Sequence, residues 1–182
     1  LGFELYIENK DAKEIYQLII EEGKNHDLSH CGSHAMDTMR MESGFLHWGH
    51  DISPEENQYE AGLNFAISYK KETNFIGKES LLKTKDKKQN RRFIMLSLKD
   101  SKPGTPLLLH EEPIYLGDKI IGRTTSGNYS FNYIKNLSFG YVSSSHSNEE
   151  LSKMDLYIEV AKKKYQAMVE ITPLKNKQAR FL

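Results

Sequence analysis

From Arg91 to Ile171 the chain reads as one short apolar segment after another, and this run constrains the fold more than any other feature. Arg92–Leu98, Pro113–Leu116, Lys119–Gly122, Leu137–Val142, Asp155–Ala161 and Lys164–Ile171 are rich in β-branched and aromatic residues. Turn chemistry separates them: Lys102-Pro103-Gly104-Thr105-Pro106, Gly117-Asp118 and Lys162-Lys163. Gly117-Asp118 joins two of the segments as a hairpin, and Gly122-Arg123-Thr124-Thr125-Ser126-Gly127 reads as the end of that unit. Short, regularly spaced strands leave fewest unpaired edges when the sheet closes, so a closed or nearly closed antiparallel barrel is expected.

Upstream the periodicity is mixed. Gly2–Glu8 has strand composition. Ala12, Ile15, Tyr16, Ile19 and Ile20 recur at helical spacing, with Asn9 or Asp11 available as a cap and Gly23 as a stop. A polar connection follows, and Ser33 can start a second helix in which Met36, Met39 and Arg40 share a face; Gly44 sits where a left-handed C-terminal residue is wanted. Asn64–Ser68 reads as a strand and Lys78–Lys88 as a short polar helix anchored by Leu81 and Leu82. The expected class is α+β: a partial α/β lobe over residues 1–90, followed by a small antiparallel β-barrel over 91–182. The chain opens at Leu1 directly in strand-like sequence, which suggests a piece of a longer protein.

Composition narrows the function classes. Lys plus Arg balances Asp plus Glu at 25 each, which argues against a nucleic-acid binder, since that needs a basic excess. No apolar run approaches the ~20 residues of a membrane-spanning helix. The single cysteine, Cys31, suits a reducing compartment: the cytoplasm, or the mitochondrial matrix in a eukaryote.

Several residues carry chemistry. Glu4 is a carboxylate inside an apolar segment; it is either a solvent-facing residue or an acceptor for a planar pair of N–H groups. In Met39–Asp51, Arg40, Glu42, His47, His50 and Asp51 stand in an apolar frame with Trp48. His47, His50 and Asp51 could ligate a metal or move protons, but loop histidines more often serve as hydrogen-bonded struts, and Trp48 reads as core. His26, His30 and His34 are four apart, yet Gly32 and Ser33 interrupt the helix that would align them. The basic run Lys83, Lys85, Lys87, Lys88, Arg91 and Arg92 suits either an anion site or a solvated helix face, and the second is the expectation. No catalytic residue and no metal ligand is assigned. A non-catalytic docking module stays open beside an enzyme fragment.

The segments Gly2-Phe3-Glu4-Leu5-Tyr6, Met36–Gly44 and His47-Trp48-Gly49-His50-Asp51 resemble the folate-dependent aminomethyltransferase family, that of the glycine cleavage T-protein. Glu60-Ala61-Gly62-Leu63, Phe75-Ile76-Gly77, Gly122–Gly127, Gly140-Tyr141-Val142 and Pro173-Leu174 follow in the family's order. The form His-Trp-Gly-His-Asp is most similar to the transferase half of dimethylglycine and sarcosine dehydrogenases. The resemblance implies a three-lobed arrangement around a folate channel. It also implies tetrahydrofolate as cofactor, a small N-methyl amine as one-carbon donor, and 5,10-methylenetetrahydrofolate as product. FAD is implied only for a separate N-terminal half. Glu4 matches the glutamate that holds the pterin ring. The matched catalytic aspartate would lie upstream of Leu1, so the remainder of the parent chain is an implied partner. Two departures are visible: Met36 stands where the T-protein has a folate-contacting arginine, and the tail Asn176–Arg180 lacks the family's folate-contacting tyrosine. They favour the dehydrogenase branch or the related dimethylsulfoniopropionate demethylase over the T-protein itself. Arg40 and Glu42 are expected to pair and brace the 44–51 loop.

Overall fold

The computed structural model describes residues 3–143 and 145–174; the tail segment Asn176–Arg180 lies outside the described residues. The chain divides into two compact units, Leu1–Ser33 and His34–Leu182.

The first unit holds helix α1, Ala12–Gly23. Its Ile15, Ile19 and Ile20 line one side at i, i+4 and i+5, as the spacing predicts. Asp11 occupies the N-cap position but its side chain makes no cap bond. The strand expected over Gly2–Glu8 does not form among the described residues: Phe3–Ile7 has no regular secondary structure. A strand exists only against a partner, and no backbone group of Phe3–Ile7 is hydrogen-bonded among the described residues.

In the second unit α2, Ser33–Glu42, continues from the first. Its buried residues are Met41 and Glu42, while Met36 and Met39 are exposed. The helix ends as the sequence predicts: Gly44 has φ 76°, and the Phe45 amide donates back to the Arg40 carbonyl at 2.8 Å. The strand expected over Asn64–Ser68 is instead a single 3₁₀ turn, Asn64–Ala66. Helix α3, Lys78–Thr84, is the anchored polar helix.

The barrel is closed, in the order β1-β4-β3-β2-β5-β6. Its strands are β1 Arg91–Leu98, β2 Pro113–Leu116, β3 Lys119–Ser130, β4 Lys135–Ser143, β5 Leu156–Val160 and β6 Lys163–Glu170. All neighbours are antiparallel, and β1 closes on β6 from Met95↔Glu170 to Leu98↔Ala167. A short helix, α4 Asn148–Leu151, bridges β4 to β5 behind a capping box in which the Ser147 hydroxyl and the Glu150 carboxylate accept from each other's backbone amides.

β3 runs well past Gly122, through the glycine-bracketed segment that the sequence reads as a unit's end. A Cβ on Gly122 would lie 2.0 Å from the Tyr141 carbonyl oxygen, and one on Gly127 would lie 2.5 Å from the Leu108 Cβ. Both glycines admit a close neighbour inside the element, and a bulge between Thr124 and Ser126 adds curvature.

β1 is buried on both sides. Ile94, Leu96 and Leu98 join Ile114, Leu156 and Ile158 in one core cluster. Phe93 and Met95 join Leu137, Phe139, Tyr141 and the α2 residue Met41 in another. The period-two alternation therefore splits one strand between two cores, and segment 34–63 covers the second.

Candidate functional site

The signature stretch folds around one carboxylate. Asp51 is 1% exposed. Its Oδ2 accepts from Arg40 Nη1 at 2.5 Å and from the His47 backbone amide at 2.9 Å. Its Oδ1 accepts from the Thr125 hydroxyl at 2.5 Å and the Ser126 hydroxyl at 2.8 Å. The Tyr141 hydroxyl donates to its backbone carbonyl at 2.8 Å. A buried carboxylate left unpaired would cost several kcal/mol. Here four donors meet its two oxygens, so the charge is fully accommodated.

Arg40 spends its fork on the same group of residues. Nη2 donates to Ser126 Oγ at 2.8 Å, Nε to Asp37 at 3.3 Å, and Nη1 also to the Phe45 carbonyl at 3.3 Å. Its guanidinium lies 5.3 Å from the Phe139 ring centre. The expected Arg40–Glu42 pair does not exist. Two residues apart on α2, the side chains point to nearly opposite faces, and Glu42 is buried against the hairpin tip, accepting from Ser130 Oγ at 2.6 Å and Asn132 Nδ2 at 3.0 Å. Each residue braces the barrel separately.

A second fastener ties the Glu60-Ala61 motif to β1. Arg91 meets Glu56 at 2.9 Å and Glu60 at 3.4 Å and packs over the Tyr141 ring, while the Phe93 amide donates to the Glu60 carbonyl. Burial and the nearby Glu56 carboxylate push the Tyr141 phenol upward, keeping it a neutral donor to Asp51. Arg91, first grouped with a basic run, is thus committed to internal carboxylates.

Around Asp37 and Arg40 lies a cavity of about 150 Å³ lined by His34, His47, His50 and His110 together with Thr125 and Asn128. The histidines come from the start of α2, the signature loop and the loop before β2. His47 and His50 stack on each other at 4.7 Å, and His47 Nδ1 lies 3.9 Å from Asp37. Asp51 faces away into its own network, so His47, His50 and Asp51 do not converge as ligands; among the described residues no group of three donors could hold a metal ion. Trp48, expected in the core, is 65% exposed. It lies inside the tight turn in which the His50 and Asp51 amides donate back to the His47 carbonyl, and that turn sends Asp51 inward. A separate apolar cleft of about 280 Å³ is lined by Phe45, Leu46, Ile52, Leu63, Phe65 and Pro173.

Glu4 belongs to the first unit. It is exposed, and its Oε2 accepts from the Tyr6 hydroxyl at 2.8 Å. The other oxygen has no partner among the described residues. His26, Cys31 and His30 are also exposed there, with His30 set against Tyr16. His110 and Asn128 escaped the sequence reading because no local pattern links them to His47.

An α+β chain whose signature loop is clamped to a closed six-stranded barrel defines an aminomethyltransferase-type C-terminal assembly, and comparisons with known proteins agree. Residues 1–71 match the GCVT N-terminal domain, and residues 91–175 match the glycine cleavage T-protein C-terminal barrel domain. The chain is 34% identical over 178 residues to the mitochondrial dimethylglycine dehydrogenase of Homo sapiens, covering 96% of this chain and 19% of that protein. It is 34% identical over 146 residues to an aminomethyltransferase of Symbiobacterium thermophilum, 80% of this chain and 38% of that one. To the 4-methylaminobutanoate oxidase (formaldehyde-forming) of Paenarthrobacter nicotinovorans it is 39% identical over 129 residues, 71% and 15%. The crystal structure of the glycine cleavage system aminomethyltransferase T from Bartonella henselae superimposes with a TM-score of 0.75 at 21% identity, over 93% of this chain and 46% of that one. This chain belongs to the glycine cleavage T-protein family. It spans less than half the length of these relatives.

Proposed function

We propose that this chain contributes to a tetrahydrofolate-dependent aminomethyltransferase that takes a one-carbon unit from a small N-methyl amine of the dimethylglycine or sarcosine type. The observation that carries the reading is the 34% identity to dimethylglycine dehydrogenase sustained over 96% of the chain. Aminomethyltransferases match over a similar span, and a T-protein donor is the alternative within the same chemistry. FAD chemistry is assigned to none of the residues in this chain.

Tetrahydrofolate accepts the one-carbon unit on its ring nitrogens; this chain's part is to hold the ring. Glu4 fits that role chemically. It is an acceptor-only carboxylate, accessible, with one oxygen engaged by Tyr6 and the other uncommitted. Two carboxylate oxygens match a planar pair of N–H donors in the way they match a guanidinium. Arg40 and Asp51 act as positioning residues that fix the signature loop, not as catalytic groups.

Isothermal titration of the chain with tetrahydrofolate tests this. Glu4→Gln replaces one acceptor oxygen by a donor and is expected to weaken binding about tenfold or more, since a charge-assisted bond is worth ~1.5–3 kcal/mol. Unchanged affinity would remove Glu4 from the site.

A further inference from the structure

β1 starts at Arg91, fastened to Glu56 and Glu60, and its other end leads into a cavity of about 590 Å³. Two segments line that cavity: the loop after β1, with Lys99, Asp100, Lys102 and Thr105, and the start of β6, with Lys163 and Tyr165. Backbone bonds hold the loop in place. The Lys99 amide donates to the Gln166 carbonyl at 3.0 Å, Ser101 Oγ accepts from the Asn136 amide at 3.0 Å, and Lys102 and Thr105 exchange backbone bonds at 3.1 and 3.0 Å. Lysines elsewhere on the barrel are paired: Lys135 meets Glu170 at 3.1 Å, and Lys164 lies 3.5 Å from Asp118 and over the Tyr115 ring. Lys99, Lys102 and Lys163 have no ion-pair partner among the described residues. Asp100 is the one carboxylate in the lining. Like charges gathered without counter-charge repel one another, so the cavity is poised for an anion.

We infer that this cavity binds a small molecule carrying a diphosphate group, held by the ammoniums of Lys99, Lys102 and Lys163. No arginine lines it. A planar carboxylate is matched by the two-pronged guanidinium, whereas an ammonium is a point charge that suits the oxygens of phosphate. The hydroxyls of Thr105 and Tyr165 in the lining add donors of the same kind. A phosphate monoester carries ~1.5–2 negative charges, so two joined phosphates offset three ammoniums where one carboxylate does not. The volume falls within the ~300–1,000 Å³ usual for small-molecule sites. None of the lining residues belongs to the signature loop or to the first unit, and the inference does not rest on the folate reading.

Isothermal titration of the chain in metal-free buffer tests it with inorganic pyrophosphate, ADP and citrate. Pyrophosphate and ADP are expected to bind, and citrate to bind at least about tenfold more weakly, the equivalent of one lost charge-assisted contact. Lys99→Gln, Lys102→Gln and Lys163→Gln each weaken pyrophosphate binding about fivefold, the upper range for an exposed ion pair. The double substitution Lys87→Gln and Lys88→Gln, in the basic run outside the cavity, leaves it unchanged. ADP binding more tightly than pyrophosphate would identify an organic diphosphate as the ligand, and equal affinities would identify the diphosphate group alone. Affinities weaker than ~1 mM for both would overturn the inference. So would citrate binding as tightly as pyrophosphate, which would reduce the cavity to a general anion patch. Equal losses in the Lys87/Lys88 variant, or none in the three single variants, would also overturn it. No folate enters the readout, so loss of the Glu4 assignment leaves this result standing.

Discussion

Arg40 and Asp51 stand eleven residues apart and meet at 2.5 Å, with the Asp51 side chain fully buried. Removing the guanidinium leaves a buried carboxylate with three neutral donors. Arg40→Ala is therefore expected to cost about 3–5 kcal/mol in urea unfolding. A loss under ~1 kcal/mol would show that Thr125, Ser126 and the His47 amide suffice. Glu42→Gln is expected to be milder, because its partners Ser130 and Asn132 are neutral and can also bond an amide. A second residue pair gives a pH test. Tyr59 and Tyr69 share a short hydrogen bond, and it raises the Tyr69 phenol from 10.0 to about 12. The folded-state value lies above the unfolded one, so the stabilisation is complete below pH 10 and is lost as the pH rises toward 12. Tyr59→Phe should return one phenolate transition to the ordinary range in an absorbance titration; an unchanged titration would refute the assignment. The sequence stretch that holds Arg40 and Asp51 was legible as a unit, but their roles were not. Thr125 and Ser126 lie 74 and 75 residues from Asp51 and reach it only because the barrel closes, which no local spacing records.

At the scale of elements, the strands of the barrel were legible because each alternates or runs apolar between turn residues. β1 needed no alternation, since both its faces are buried. What misled was glycine. Gly117 closes a true hairpin, whereas Gly122 and Gly127 lie inside β3 because neighbouring atoms leave no room for a Cβ. Composition cannot separate those two uses. The difference is measurable. Gly122→Ala would put a methyl against the β4 backbone and is expected to destabilise by at least ~1–3 kcal/mol, because backbone must move. Gly32→Ala meets nothing within 4 Å and should be neutral or slightly stabilising by thermal melting. Equal effects at the two sites would mean that the β3–β4 approach is slack. The segment Asn64–Ser68 failed as a strand for the opposite reason: the closed barrel has no free edge to receive it.

Over the whole molecule, burial is concentrated in one unit. Every buried residue among those described lies in His34–Leu182, and segment 34–63 belongs to the barrel's compact unit because Met41, Asp51 and Glu60 are fixed to β1, β3 and β4. The first unit makes α1 and its following 3₁₀ turn but buries none of its described residues. Stability should divide the same way, since free energy of unfolding follows apolar area removed from water. Limited proteolysis is expected to cut first in the polar connection of residues 24–32. The remaining His34-to-end product should melt within about 2 °C of the intact chain, where a loss of 1 kcal/mol would lower Tm by ~2–8 °C. Cleavage in the 44–51 loop should instead lower Tm by more than 5 °C, because it frees Asp51 from Arg40 and opens the cover over Phe93, Met95 and Phe139. A drop of that size on removing the first unit alone would show that stability does not divide between the two units in this way.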